Sequence, residues 1–209
     1  MNDNQFTNKL GNDFKIIKGD GIDQSTIDVY PKSIDGSANL DVGFKLVEQR
    51  FNQSWMLREV QREKEYELGK FSSREIGVLA LYTAVKGRFD HLKVNKDVKK
   101  KLREKADTLI IADEILKDTI DSKYFSLNQE KEGALNLEAE SKKYNIYYLT
   151  FMKEKVIISK GRSLSSALIV LYNYGLLLER FESQINPLLK QSSIHLAEKE
   201  ILKRVFIGK

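Results

Sequence analysis

At 209 residues and a formal net charge of +5, the chain is long enough to bury a substantial core without covalent staples. It contains no cysteine, which excludes disulfide frameworks, thiolate zinc sites and cysteine nucleophiles. The charge is unevenly spread: from Lys86 to Lys105 nine basic residues stand against three acids, and the rest of the chain is close to neutral.

The opening residues, MNDNQFTNKL, lack the basic start and apolar stretch of a secretory signal. Residues 1–43 hold five of the twelve glycines, one of the two prolines, and seven aspartates against four lysines. Such a composition buries too little apolar surface to offset its own ordering entropy, so the segment reads as an extended N-terminal arm. Within it Phe14, Ile16, Ile22, Ile27, Val29 and Ile34 are spaced hydrophobes that could dock on a partner as short extended stretches between Gly-Asp turns.

From residue 44 to 209 the expectation is a helical domain of five to six helices. Phe44, Val47, Phe51 and Trp55 fall at helical spacing, with Leu46, Leu57 and Val60 beside them, and Gly69 is a stop. Ser72 and Glu75 form an S-x-x-E capping box and Phe71 and Ile76 a hydrophobic staple, which predicts a helix from Ser73 to Gly87, apolar on most sides. Asn95 caps a second predicted helix, from Lys96 to about Ile120, whose first turns carry the basic cluster and whose later turns are apolar. A weaker helix is expected around residues 128–142.

Tyr144 to Met152 and Val156 to Ser159 are rich in aromatic and β-branched residues and read as the one β-hairpin of a mainly α fold, about 144–159. The very apolar segment from Leu164 to Gln184 follows as the energetic centre, and a last helix runs through Ile194, Ile201 and Val205. The longest uncharged run, residues 163–178, is shorter than the ~20 apolar residues of a bilayer crossing. No membrane association is expected, and a cytoplasmic setting, or a virion if the source is viral, is the default. No internal repeat of fixed period is visible.

His91 and His195 lack metal-type partners at helical spacing, no Gly-x-Ser-x-Gly elbow or phosphate loop occurs, and Gly19-Asp20-Gly21 is a turn whose third fingerprint position is Gln24. Carboxylate pairs such as Asp113-Glu114 and Glu63 with Glu67 have ordinary spacing for solvated helices. No catalytic residue, metal ligand or cofactor follows, and a non-enzymatic protein is expected. The arm and the charge-dense stretch ending at Glu67 point to assembly into a homo-oligomer or a larger complex; a phage head-to-tail ring or connector protein is a concrete instance by architectural analogy. The alternative is a nucleic-acid-binding accessory factor whose phosphate-contacting ridge comprises Lys86, Arg88, Lys96, Lys99, Lys100 and Arg103.

Overall fold

The computed structural model describes residues 1–21, 24–190 and 194–209. The described residues form nine strands in two sheets, 31% strand and 43% helix, so the fold is mixed α/β and the mainly helical expectation with a single hairpin is overturned. Two compact units divide the chain, residues 1–90 with 187–208, and residues 91–186 with Lys209. The first unit begins with α1 (Asp3–Leu10), continues through β1 (Phe14–Asp20), β2 (Ser25–Pro31), β3 (Val42–Gln49), β4 (Ser54–Gln61) and β5 (Lys64–Phe71), and enters α2 (Arg74–Phe89). The second comprises α3 (Lys96–Glu104), α4 (Leu109–Lys117), β6 (Phe125–Ser126), β7 (Ala134–Glu140), β8 (Lys143–Leu149), β9 (Lys155–Arg162) and α5 (Leu164–Gln184). A single turn, α6 (Asn186–Leu189), precedes the last helix, α7 (Leu196–Phe206), which belongs to the first unit. No described helix is long and apolar enough to cross a membrane.

In the first unit the five strands pair in sequence order, all antiparallel. The supposed arm is part of this sheet: Ile27 faces Leu46 and Val29 faces Phe44 across the β2–β3 ladder, and all four are buried. The stretch expected to be helical from Phe44 to Leu68 is instead β3, β4 and most of β5. Its helix-like spacing arose because β3 buries residues on both faces: Phe44 and Leu46 beneath α2, Val47 on the other. That blurs the alternation that marks a strand. Phe51, the third member of the assumed stripe, lies in the β3–β4 connection and is fully exposed.

Helix α2 packs across β3, β4 and β5, and Gly77 lets it approach closely, since a Cβ there would lie 3.1 Å from Leu46 and 3.0 Å from Trp55. Its N-cap is Ser73, one residue later than the capping box implied, and the Ser73 hydroxyl accepts from the Ile76 N–H. The Ser72 N–H donates to Glu198 on α7 at 2.8 Å, so a residue 126 positions away satisfies the group that a local cap would have left to water. Asp3 in the first turn of α1 accepts two hydrogen bonds from the Arg74 guanidinium, at 2.7 and 2.8 Å, and one from Lys18 at 2.8 Å. These cations, Arg74 above all, hold its carboxyl well below the ordinary value of 3.8. A lowered folded-state pKa contributes stability above the unfolded value and loses it as pH falls below about 4. Asp3→Asn should therefore lower stability at pH 7 by about 0.5–1 kcal/mol, as expected of a largely exposed bidentate pair, and the gap to wild type should close on acidification. Fluorescence of Trp55, the single tryptophan, during urea titrations at several pH values checks this.

The β4–β5 connection is two residues long. Both, Arg62 (φ 46°) and Glu63 (φ 70°), have left-handed backbone, a conformation usually supplied by Asn and Gly and costing other residues about 1–3 kcal/mol. The Arg62 N–H donates to the Asp41 carbonyl at 2.9 Å and pins the turn.

In the second unit β7, β8 and β9 form an antiparallel meander, and the short β6 adds parallel to β7. Strands β8 and β9 coincide with the hairpin expected from sequence but make up half of a four-stranded sheet. The weak helix expected around 128–142 is loop and then β7. Helix α5 lies on this sheet and buries Ala167, Leu168, Leu171, Tyr172, Leu178 and Phe181, at roughly 1.5–3 kcal/mol for each large side chain. The helix predicted over 96–120 is broken into α3 and α4, where the Thr108 hydroxyl accepts from the Ile111 N–H and caps a new start. Both units share one plan without a sequence repeat: a meander whose last strand runs through serine directly into a long helix, Ser73 before α2 and Ser163 before α5.

Candidate nucleic-acid interface

Helix α3 is built for two-sided use. The Asn95 side chain accepts from the Asp97 N–H at 2.9 Å and starts the helix. Val98 and Leu102, four residues apart, are buried on the side from which α3 packs against α5. At 100° per residue Lys96, Lys99, Lys100 and Arg103 then occupy the opposite arc, about 100° wide and ~10 Å long, with Asp97 and Glu104 at its edge.

These four cations are not neutralised as several others of the protein are. Lys86 pairs with Asp90, Lys117 with Asp113, and Lys123 with Asp121 at 2.9 Å. None of the four ridge residues has a carboxylate partner among the described residues. Their i, i+3 and i, i+4 spacings set like charges against each other at roughly 0.2–0.5 kcal/mol per pair, and Lys96 opposes the positive end of the helix dipole. The helix thus carries a local electrostatic conflict that an external polyanion would relieve.

Of the six residues assigned to the ridge from sequence, four share this arc. Lys86 and Arg88 lie on α2, in the other unit, and have carboxylates of their own: Asp90 for Lys86, and Glu59, 3.9 Å from the Arg88 Nε. Among the arm residues Phe14 and Ile16 lie on β1, with the Phe14 ring 5.6 Å from that of Phe89, and Ile27 and Val29 are buried in β2. Ile34 is fully exposed in the β2–β3 loop. Ile22 lies outside the described residues.

Sequence reasoning missed two charged sheet faces. On the face of the first sheet away from α2, Asp28, Lys45, Arg58 and Glu67 lie side by side on successive strands. Glu65 accepts from Lys45 Nζ at 2.9 Å and from Arg58 Nη1 at 2.8 Å. Burial pushes the Asp28 carboxyl up, whereas the hydrogen bonds from Lys45 and Arg58 pull Glu65 down. The Tyr30 ring lies over Gly43, where any Cβ would collide with it. In the second unit Glu130 accepts from the Tyr147 hydroxyl and from Lys155 Nζ, both at 2.6 Å, with the ammonium 4.5 Å above the Tyr147 ring. Burial, reinforced by the Glu130 carboxylate, pushes the Tyr147 hydroxyl up to about 12. The alternating charges of residues 58–67 are the available signal, but such mixed charge equally suits the solvated or intersubunit helix end expected there. In both groups the cations are paired with carboxylates on the same face, and the first group holds three carboxylates against two cations, so neither attracts a further anion. Among the described residues no three His, Cys, Asp or Glu side chains come together as a metal site.

Comparison with protein-family models, curated proteins and solved structures finds no match to this chain. The ridge on α3 therefore stands on its own chemistry: a short row of ammonium and guanidinium groups suited to phosphate oxygens, with no feature that would distinguish one base from another.

Proposed function

We propose that the protein binds nucleic acid through the phosphate backbone, using the α3 ridge of Lys96, Lys99, Lys100 and Arg103. The observation that carries this reading is that four cations share one arc of a nine-residue helix with no carboxylate partner among the described residues. Binding of this kind is driven by counterion release, so it is salt-dependent and indifferent to sequence. The test is retention of labelled single- and double-stranded oligonucleotides by the full chain across a salt series. Binding that ignores salt, or no binding at 50 mM salt, would contradict the reading.

Assembly into a homo-oligomer or a larger complex is a second proposal, and on this geometry it rests on two fully exposed apolar side chains, Ile34 and Phe51. If they are contact points, light scattering after size exclusion should give a discrete multimer that persists in high salt. Ile34→Ser with Phe51→Ser should then shift it to the monomer mass, and a wild-type chain already monomeric would dismiss self-association.

A further inference from the structure

At the β4–β5 turn of the first unit lies an open cavity of about 620 Å³, within the roughly 300–1,000 Å³ of small-molecule sites. Arg62, Lys64, Arg88, Tyr66, Gln61 and Asp41 are among its lining residues. Arg62 and Lys64 flank the strained position 63, and neither has a carboxylate partner among the described residues. Arg88 is only loosely held, with its Nε 3.9 Å from Glu59. Among the lining residues three cations stand against one carboxylate, Asp41; Glu59 offsets Arg88, and Glu63 sits in the turn between Arg62 and Lys64 without being a lining residue. Tyr66 is 48% exposed, so its ring is accessible at a site that also offers cations.

A strained turn that places unpaired cations beside an open aromatic ring suggests that the strain serves a ligand. The geometry points to a nucleotide subsite in this cavity: the base stacks on Tyr66, the phosphate lies between Arg62 and Lys64 with Arg88 in support, and the Gln61 amide faces the base edge. Cations alone would suit any phosphate; the exposed ring adds the need for a planar, polarisable group, which a nucleotide supplies on the same molecule. The ligand is either a free mononucleotide or one unit of a single strand. This inference rests on residues of the first unit and is independent of the α3 ridge.

The experiment uses the full chain carrying Lys96→Glu, Lys100→Glu and Arg103→Glu, so that the ridge contributes nothing. Fluorescence anisotropy is followed with two probes, a labelled adenosine 5′-monophosphate and a labelled, 5′-phosphorylated oligothymidylate. Saturable binding of at least one probe is expected, weakened tenfold or more by Tyr66→Ala and by Arg62→Ala with Lys64→Ala, and retained with Tyr66→Phe. Binding of the mononucleotide identifies a free nucleotide as sufficient, and binding of the oligonucleotide alone identifies a strand unit; either supports the subsite. No saturable binding of either probe, affinity unchanged by Tyr66→Ala, or displacement by inorganic phosphate as effective as by adenosine monophosphate would overturn it. The substituted side chains are exposed, and Trp55 fluorescence for the first unit, with far-ultraviolet circular dichroism for the whole chain, confirms that each variant is folded.

Discussion

Lys96→Glu, Lys100→Glu and Arg103→Glu introduced together should abolish nucleic-acid retention without loosening the fold. If all four ridge cations neutralise phosphates, the logarithm of affinity should fall against the logarithm of salt with a slope of about −3.6 for duplex and −2.8 for single strands. Between 50 and 200 mM salt that amounts to a roughly 50- to 150-fold loss. The triple reversal removes three of the four contacts and places carboxylates where phosphates would sit, so the expected loss at low salt is larger still. Stability should move the other way or not at all. The like-charge pairs disappear, and a glutamate at position 96 suits the positive end of the helix dipole by about 0.3–1 kcal/mol. A variant that binds normally would remove the ridge from the interface, and a variant that unfolds would show that these lysines serve the structure.

Gly87→Val should cost about 3 kcal/mol or more, the largest single-residue loss of stability expected in the first unit. A Cβ at position 87 would stand 2.4 Å from the Phe206 carbonyl oxygen, 2.8 Å from its Cα and 2.9 Å from its carbonyl carbon. All three are backbone atoms of α7, so no side-chain rotation relieves the collision and the two helices must separate. Overpacking alone costs roughly 1–3 kcal/mol, and separating α2 from α7 also uncovers part of a core that includes Phe206, Leu202 and Val85. Alanine at the same position should lose less, because its helix propensity returns about 1 kcal/mol. Gly175 on α5 is the informative contrast. Its added Cβ would meet only the Cδ1 of Ile120, at 2.6 Å, the far end of a flexible side chain. Gly175→Ala should therefore stay within about 1 kcal/mol of wild type. Urea denaturation followed by Trp55 reports the first unit directly, and by far-ultraviolet circular dichroism it also covers Gly175→Ala in the second; a Gly87→Val midpoint equal to wild type would refute the close helix contact.

Some structural signals are carried locally by the chain. The start of α3 at Asn95, the apolar span of α5 and the hairpin strands β8 and β9 each depend on residues within a few positions of one another, and each was legible. The β1–β5 sheet was not. There β3 buries side chains on both faces, and the apolar spacing imitates a helical stripe from Phe44 to Trp55. The first 43 residues looked like an arm because their apolar content is too low to form a core alone. Their burial comes from the pairing of β2 with β3, from α1 against α2 and from Phe14 against Phe89, partners that composition cannot name.

The candidate site divides along the same line. Four of the six ridge residues were found from sequence because a nine-residue helix converts spacing into a shared arc by its own geometry. Lys86 and Arg88, adjacent to the ridge in sequence, belong to α2 of the first unit and have carboxylates of their own. The cavity around Arg62, Lys64 and Tyr66 was invisible, since it gathers residues from the β2–β3 loop, a two-residue turn and the end of α2. What the sequence by itself determined is local: helix caps, the amphipathic α3, the apolar α5, and the absence of thiol chemistry. Tertiary structure decided what is non-local: that β1 to β5 form one sheet, which cations find carboxylate partners, and which have none among the described residues. The reason is that strand pairing and ion pairing are settled between distant segments, where hydrogen-bond registry and desolvation outweigh the spacing of residues along the chain.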